Sequence, residues 1–246
     1  MSGVSRVLLL AGHEPTGRAG LLADAAAVRA MGGAPVAVPT AQTAQGLTTF
    51  LWQAAPARVL KAQVAAAREL GPLHAVKLGM VPDAARLSAI REALEDVEAW
   101  WVVDPVVRTS RGQRLSKLSV KHYLGLAGPR VLLTPNLDEA AWLLGLPAVE
   151  TVEEAAEAGR TLVARGFGAV LVKGGHRERG AVDVLCTPGT TRLLTGKRVQ
   201  RSSERRGTGC RLASALAAEL GRGRSVEAAA RRAKAHVSQY LRTGKG

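Results

Sequence analysis

Short apolar runs alternate along this chain with longer stretches whose apolar residues recur at helical spacing. Arg6-Val-Leu-Leu-Leu-Ala-Gly12 is apolar inside and closed by glycine. That is the pattern of a strand buried on both faces of a parallel sheet. Ala19 to Met31 is rich in Ala and Leu and stops at Gly32-Gly33, which predicts a helix. Val36–Val38 predicts a second strand, Ala55 to Leu70 a helix, and Ala75–Leu78 a strand ending at Gly79. Asp83 is placed to cap a helix running to about Leu94. Trp100 to Asp104 and Arg130 to Thr134 read as strands, the second followed by a helix opening at Pro135-Asn-Leu-Asp-Glu139. Thr151 to Arg165 reads as a helix with Thr151 and Glu154 as a capping box. Ala169 to Lys173 is a further strand, and Val182–Leu185 with Thr191–Leu194 forms a hairpin around Thr187-Pro-Gly189. Thr208 to Leu220 and Ser225 to Leu241 are the last helices.

Strands alternating with helices predict an α/β fold, a parallel sheet covered on both faces. Such sheets take ligands outside the carboxyl ends of their strands. Gly12, Gly79, Asp104, Thr134 and Lys173 stand at those ends and are expected to crowd around one site. No Pro/Gly/Ser-rich linker divides the 246 residues, so one domain, 1–246, is expected.

Composition narrows the classes. The apolar opening run is too short for a signal peptide or a membrane span, and no later run qualifies, so a soluble, cytoplasmic protein without membrane partners is expected. Cys186 and Cys210 are the only cysteines and are expected as free thiols; no spacing marks a zinc site. The net charge is +14, but aromatics are only 3% and no nucleic-acid motif occurs. Solvated arginines account for that charge better than nucleic-acid binding.

The sharpest local signal is Gly207-Thr-Gly-Cys210 at the start of a helix. Glycines allow close backbone approach, and a helix N-terminus presents unsatisfied N–H groups and partial positive charge to an anion. Cys210 falls in the first turn, where the same field is expected to lower the thiol pKa. Neither GxxxxGK[ST] nor GxGxxG occurs, which excludes P-loop and dinucleotide-fold chemistry.

Ordered along nearly the whole chain are Ala11-Gly-His-Glu-Pro-Thr-Gly-Arg-Ala-Gly20 with Ala23-Asp24, Thr40-Ala-Gln-Thr-Ala-Gln45, Val76-Lys-Leu-Gly-Met80, Val103-Asp-Pro-Val106, Thr134-Pro-Asn-Leu-Asp-Glu-Ala140, Val172-Lys-Gly-Gly-His176 and Gly207-Thr-Gly-Cys210. In that order they resemble the hydroxymethylpyrimidine/phosphomethylpyrimidine kinases of thiamine synthesis. The resemblance implies a ribokinase-like three-layer αβα sandwich with a mostly parallel central sheet, a homodimer, and ATP and Mg²⁺ as cofactors. It implies that Asp24 and Gln45 hydrogen-bond the aminopyrimidine edge, with Gly12, Met80 and Val106 around the ring. Asp104, Asn136, Lys173 and Thr208 then face ATP, and Glu139 the Mg²⁺. Cys210 stands where most ribokinase-like enzymes have an aspartate base, with Gly207, Thr208 and Gly209 completing the anion hole. Read without the family, Asp24 is a helix-surface acid, Gln45 a loop polar residue and Glu139 a helix-start acid.

The chain departs from the family at Glu14 for Asp, His13 for Ser or Thr, Arg18 for Gly, Gly46 for Asn, Arg205-Arg206 for Thr-His and Arg211 for Thr. These departures crowd the substrate and phosphate loops. Arg18, Arg206 and Arg211 are expected to favour an acceptor that already carries a phosphate. A kinase for a pyridoxine-like alcohol, or a weakened regulatory relative that binds a ligand, remain the other readings.

Overall fold

The computed structural model describes residues 4–46, 48–109, 112–174, 182–196 and 206–244. Its elements run β1 (Arg6–His13), α1 (Gly20–Ala30), β2 (Ala34–Gln45), β3 (Phe50–Ala54), α2 (Ala57–Glu69), β4 (Ala75–Leu78), α3 (Ala84–Ala93), β5 (Trp100–Val103), α4 (Val120–Leu124), β6 (Val131–Leu133), α5 (Leu137–Leu144), α6 (Val152–Ala164), β7 (Ala169–Val172), β8 (Asp183–Thr187), β9 (Thr190–Leu194), α7 (Thr208–Leu220) and α8 (Val226–Thr243). The strands form one nine-stranded sheet in the order β3-β2-β1-β4-β5-β6-β7-β8-β9. The run from β2 to β7 is parallel, and β3, β8 and β9 add antiparallel edges.

The sheet is buried on both faces, and the strand period of two divides its side chains between two cores. Leu8 and Leu10 enter one core with Val76, Leu78, Val103 and Leu133, under α2 to α6. Val7 and Leu9 enter the other with Ala75, Val102 and Leu132, under α1, α7 and α8. This is the layered αβα arrangement expected, with helices on both faces of a mostly parallel sheet.

Local signals set the helix starts. Asp83 accepts from the Arg86 N–H at 3.0 Å, and the Thr151–Glu154 capping box closes as the sequence predicts. Two features differ from the expectation. β2 continues from Val38 to Gln45 and returns as β3, so the Thr40–Gln45 motif lies on a long strand of a hairpin. A short helix, α4, precedes β6, its Ser119 N-cap boxed with His122.

Candidate active site

The carboxyl ends of the central strands converge as the topology predicts. Asp104 follows β5 and Lys173 follows β7, and Lys173 Nζ donates to Asp104 Oδ1 at 2.7 Å. Thr134, after β6, directs its hydroxyl at the same oxygen from 3.3 Å, and Glu139 Oε2 lies 3.9 Å from Lys173 Nζ. The N-terminus of α7 closes over this cluster. A Cβ on Gly209 would lie 3.3 Å from Lys173 Nζ and 3.7 Å from Asp104 Oδ2, so glycine lets the helix start approach the pair. Gly207 caps α7 at φ +74°, and a Cβ there would overlap the Arg18 carbonyl oxygen. The first intrahelical bond is from Arg211 N to Gly207 O, which leaves the N–H groups of Thr208, Gly209 and Cys210 ahead of it. These donors lie at the positive end of α7 beside Lys173, an arrangement that can cradle an anion.

Asn136 and Glu139 cap α5 reciprocally. Asn136 Oδ1 accepts from the Glu139 N–H and Glu139 Oε2 from the Asn136 N–H, each at 2.8 Å. The helix-start role of Glu139 is therefore real, and it holds the carboxylate against Lys173. Burial pushes the Glu139 carboxyl up to about 7, against the pull of Lys173. Burial draws the Lys173 ammonium down, but Asp104 and Glu139 outweigh it and its pKa is raised.

A third, smaller apolar cluster stands apart from the two cores. It joins Ala41, Met80 and Leu115 with Phe50, Trp52 and Val106. Gly12 faces it: a Cβ there would come within 2.8 Å of Met80 Sδ and 3.2 Å of Thr43 Cγ2. The β2–β3 hairpin brings Gln45 to its rim, where Gln45 Oε1 accepts from Arg206 at 2.9 Å and Nε2 donates to Thr43 Oγ1 at 3.3 Å. Gly12, Gln45, Met80 and Val106 are thus together, beside the α7 cradle.

Asp24 is not with them. It is fully buried, Oδ2 accepting from Lys77 Nζ and Oδ1 from Ser214 Oγ, each at 2.8 Å. Both oxygens are taken inside the protein, which corrects the expectation of a substrate-edge acceptor and equally that of a surface acid. Lys77 is the residue that sequence reasoning missed. It carries the only charge in β4, and strand alternation sends it to the face under α1 and α7. A second correction concerns Cys210. Burial raises its pKa, and although Lys77 pulls it down, Asp24 and Asp104 push the same way as burial. The thiol is thus pushed up, not down, and the expected lowering by the helix start does not prevail.

The arginines also part company. Arg18 is exposed, Arg206 is tied to Gln45, and Arg211 is buried with its guanidinium 4.0 Å over the Tyr240 ring. Glu14 anchors the loop before α1, accepting from the Thr16 hydroxyl and from the N–H groups of Thr16 and Arg18. Gly175, His176 and Arg205 lie outside the described residues.

Residues 14–246 match the family described as phosphomethylpyrimidine kinase. A hydroxymethylpyrimidine/phosphomethylpyrimidine kinase of Streptomyces coelicolor is 34% identical over 242 residues, 97% of this chain and 89% of the relative. The thiamine biosynthesis multifunctional protein ThiED of Corynebacterium efficiens is 33% identical over 96% of this chain, which matches 33% of that longer protein. Among solved structures, the Staphylococcus aureus pyridoxal kinase in complex with AMP-PCP and pyridoxal superposes with a TM-score of 0.87 at 27% identity, covering 97% of this chain and 88% of the other.

Proposed function

Since the chain belongs to the phosphomethylpyrimidine kinase family, we propose that it transfers the γ-phosphate of ATP to 4-amino-5-hydroxymethyl-2-methylpyrimidine, to its monophosphate, or to both, in thiamine biosynthesis. The observation that carries this reading is the α7 cradle set between the Lys173–Asp104–Glu139 cluster and an apolar slot. The slot of Met80, Val106 and Gly12 takes the flat ring, with the Gln45 amide at its rim exchanging its bonds to Arg206 and Thr43 for the ring edge. The cradle and Lys173 take the phosphates.

Phosphoryl transfer asks a protein mainly for positioning and charge stabilisation. The N–H groups of Thr208, Gly209 and Cys210 stabilise negative charge on the transferring group. Lys173, held by Asp104, neutralises the nucleotide phosphates, and Asn136 fixes the start of α5 beside it. Cys210 receives the acceptor hydroxyl proton as the new oxygen–phosphorus bond forms. Among the described residues no three His, Cys, Asp or Glu side chains gather for a metal. The partly buried Glu139 carboxylate suits Mg²⁺, which is held by one or two carboxylates together with waters and phosphates. When bound, Mg²⁺ would neutralise phosphate charge. Family likeness adds a homodimer and a cytoplasmic location to the proposal; among the described residues no helix is long and apolar enough to cross a membrane.

The pyridoxal kinase likeness makes pyridoxal the competing acceptor. The test is ADP release with the aminopyrimidine alcohol, its monophosphate, pyridoxine and pyridoxal. Turnover confined to the B6 vitamers would overturn the pyrimidine reading, and none with any acceptor would overturn the kinase reading.

A further inference from the structure

The buried Asp24–Lys77 pair has no part in the mechanism above. Both side chains are completely inaccessible; the ammonium sits under Gly79, and Asp24 is bonded to Ser214 of α7. An isolated buried ion pair is a poor stabilising device, because removing two charges from water costs several kcal/mol per ion. What such a pair does provide is a charge fixed in place.

The place is given by α7. Ser214, which donates to Asp24, lies four residues after Cys210 on that helix. Side chains four apart lie on one face, one turn from each other. Cys210 therefore looks toward the same side as Ser214, over the Lys77–Asp24 pair and nearer the cradle. The charged groups that face Cys210 are Lys77 from β4, Asp24 from α1 and Asp104 after β5, with Lys173 after β7 also in its field. Of the influences that draw the thiol down against burial, Lys77 is the largest.

We propose that Lys77 is a positioning residue for phosphoryl transfer: held by Asp24 and Ser214, its ammonium faces Cys210 from within the fold and stabilises the thiolate that serves as base. The inference rests on the kinase reading and on Cys210 as its base. The proton balance is closed. Cys210 first releases its proton to solvent. The thiolate then takes the acceptor hydroxyl proton as the acceptor oxygen bonds to the γ-phosphorus and the bond from that phosphorus to the β,γ-bridging oxygen breaks. ADP leaves with that electron pair, and the thiol returns its proton to solvent.

The test is the pH dependence of Cys210 alkylation by iodoacetamide, followed by peptide mass mapping to separate it from Cys186. Two variants are compared with the parent. Lys77→Met leaves Asp24 to take up a proton in its apolar setting. The double variant Lys77→Met/Asp24→Leu removes both charges and avoids a lone buried ion, and Ser214 can turn its hydroxyl to the Cys210 carbonyl. Folding is checked by circular dichroism, and whichever variant folds carries the test. Each variant also neutralises Asp24, which opposes Lys77 at the thiol, so the expected result is the remaining net effect, an alkylation midpoint raised by about half a pH unit. It should come with a kcat lowered about threefold near neutral pH that recovers as pH rises, and an unchanged KM for ATP. An unchanged midpoint in a folded variant would overturn the proposal, as would a kcat loss that does not recover at high pH. The alkylation profile needs no substrate. A parent with no kinase activity would overturn the functional reading alone, and the profile would still decide whether Lys77 governs the thiol.

Discussion

Replacing Arg211 by Met should make the protein more stable and a worse kinase for a phosphorylated acceptor. Arg211 is only 6% exposed, and its Nε and Nη1 are buried without a hydrogen-bond partner. Nη2 reaches only the Gly17 carbonyl, at 3.5 Å. Among the described residues no carboxylate pairs with it. Each unsatisfied buried donor costs about 1–3 kcal/mol. Stacking on Tyr240 returns about 0.5–2 kcal/mol, and a methionine sulfur against the same ring keeps part of that. The balance favours the variant by about 1–3 kcal/mol, or about 2–4 °C in Tm for each kcal/mol in a chain of this size. The functional cost follows from where the charge lies. Nη1 is 3.0 Å from the position of a Cβ on Gly207, so the guanidinium adds to the positive end of α7. At an effective dielectric of about 20 and a separation of about 8 Å, unit charges interact by about 2 kcal/mol. An acceptor monophosphate should lose about tenfold or more in kcat/KM, and the neutral alcohol much less. Thermal unfolding and paired kinetics on the two acceptors read both effects. A lowered Tm, or equal losses on the two acceptors, would refute the argument.

Three further outcomes follow from the site. Cys210→Ala should keep the fold and lose about 10²–10⁴-fold in turnover; full activity would leave Cys210 only its backbone N–H. Gln45→Ala should weaken acceptor binding by about 1–3 kcal/mol and leave the KM for ATP unchanged, and equal losses for both would show that the ring does not sit at the β2–β3 hairpin. Glu14→Gln tests the loop before α1. Burial pushes the Glu14 carboxyl up, but bonds from Thr16, Arg18 and Ala19 prevail and hold it below 4.5. A depressed carboxyl contributes stability that is present above the unfolded value and lost as pH falls through the folded one. Urea unfolding between about pH 6 and about pH 3 should therefore fall less steeply in the variant, and parallel acid limbs would remove Glu14 as the anchor.

The fold was legible where apolar period and end signals agreed. β1, β4, β5 and β7 announce themselves as runs buried on both faces, and the Thr151 box is a local rule that needs no tertiary partner. The second half of β2 was not legible. Its buried positions are Thr40, Ala41 and Thr43, small or polar residues that carry no apolar signal. Its partner β3 exposes Leu51 at the sheet edge, so a buried-strand pattern has nothing to detect. The pairing of Gln45 with Phe50 through a short turn is what delivers the amide to the slot, and that register depends on chain geometry rather than composition.

The candidate site divides in the same way. Asp104, Thr134, Lys173 and the α7 cradle were readable because a parallel sheet sends every strand to the same edge, and topology alone brings them together. Asp24 and Cys210 were misjudged because each was weighed by its own element. A carboxylate on an Ala-rich helix reads as a surface acid until a lysine 53 residues away is found to enter the same core. At Cys210 burial is the largest influence and raises the pKa, against the expected lowering. After burial, the largest influences come from Lys77, Asp24 and Asp104, contributed by β4, α1 and the end of β5. Alternation along β4 held a usable sign. In Ala75-Val-Lys-Leu78 every position is buried, so a lysine there needs an acidic partner across the α1–α7 face. Asp24 is the acid that α1 buries on that face. The buried partner of Asp24 thus lies in a strand that reads, residue by residue, as core.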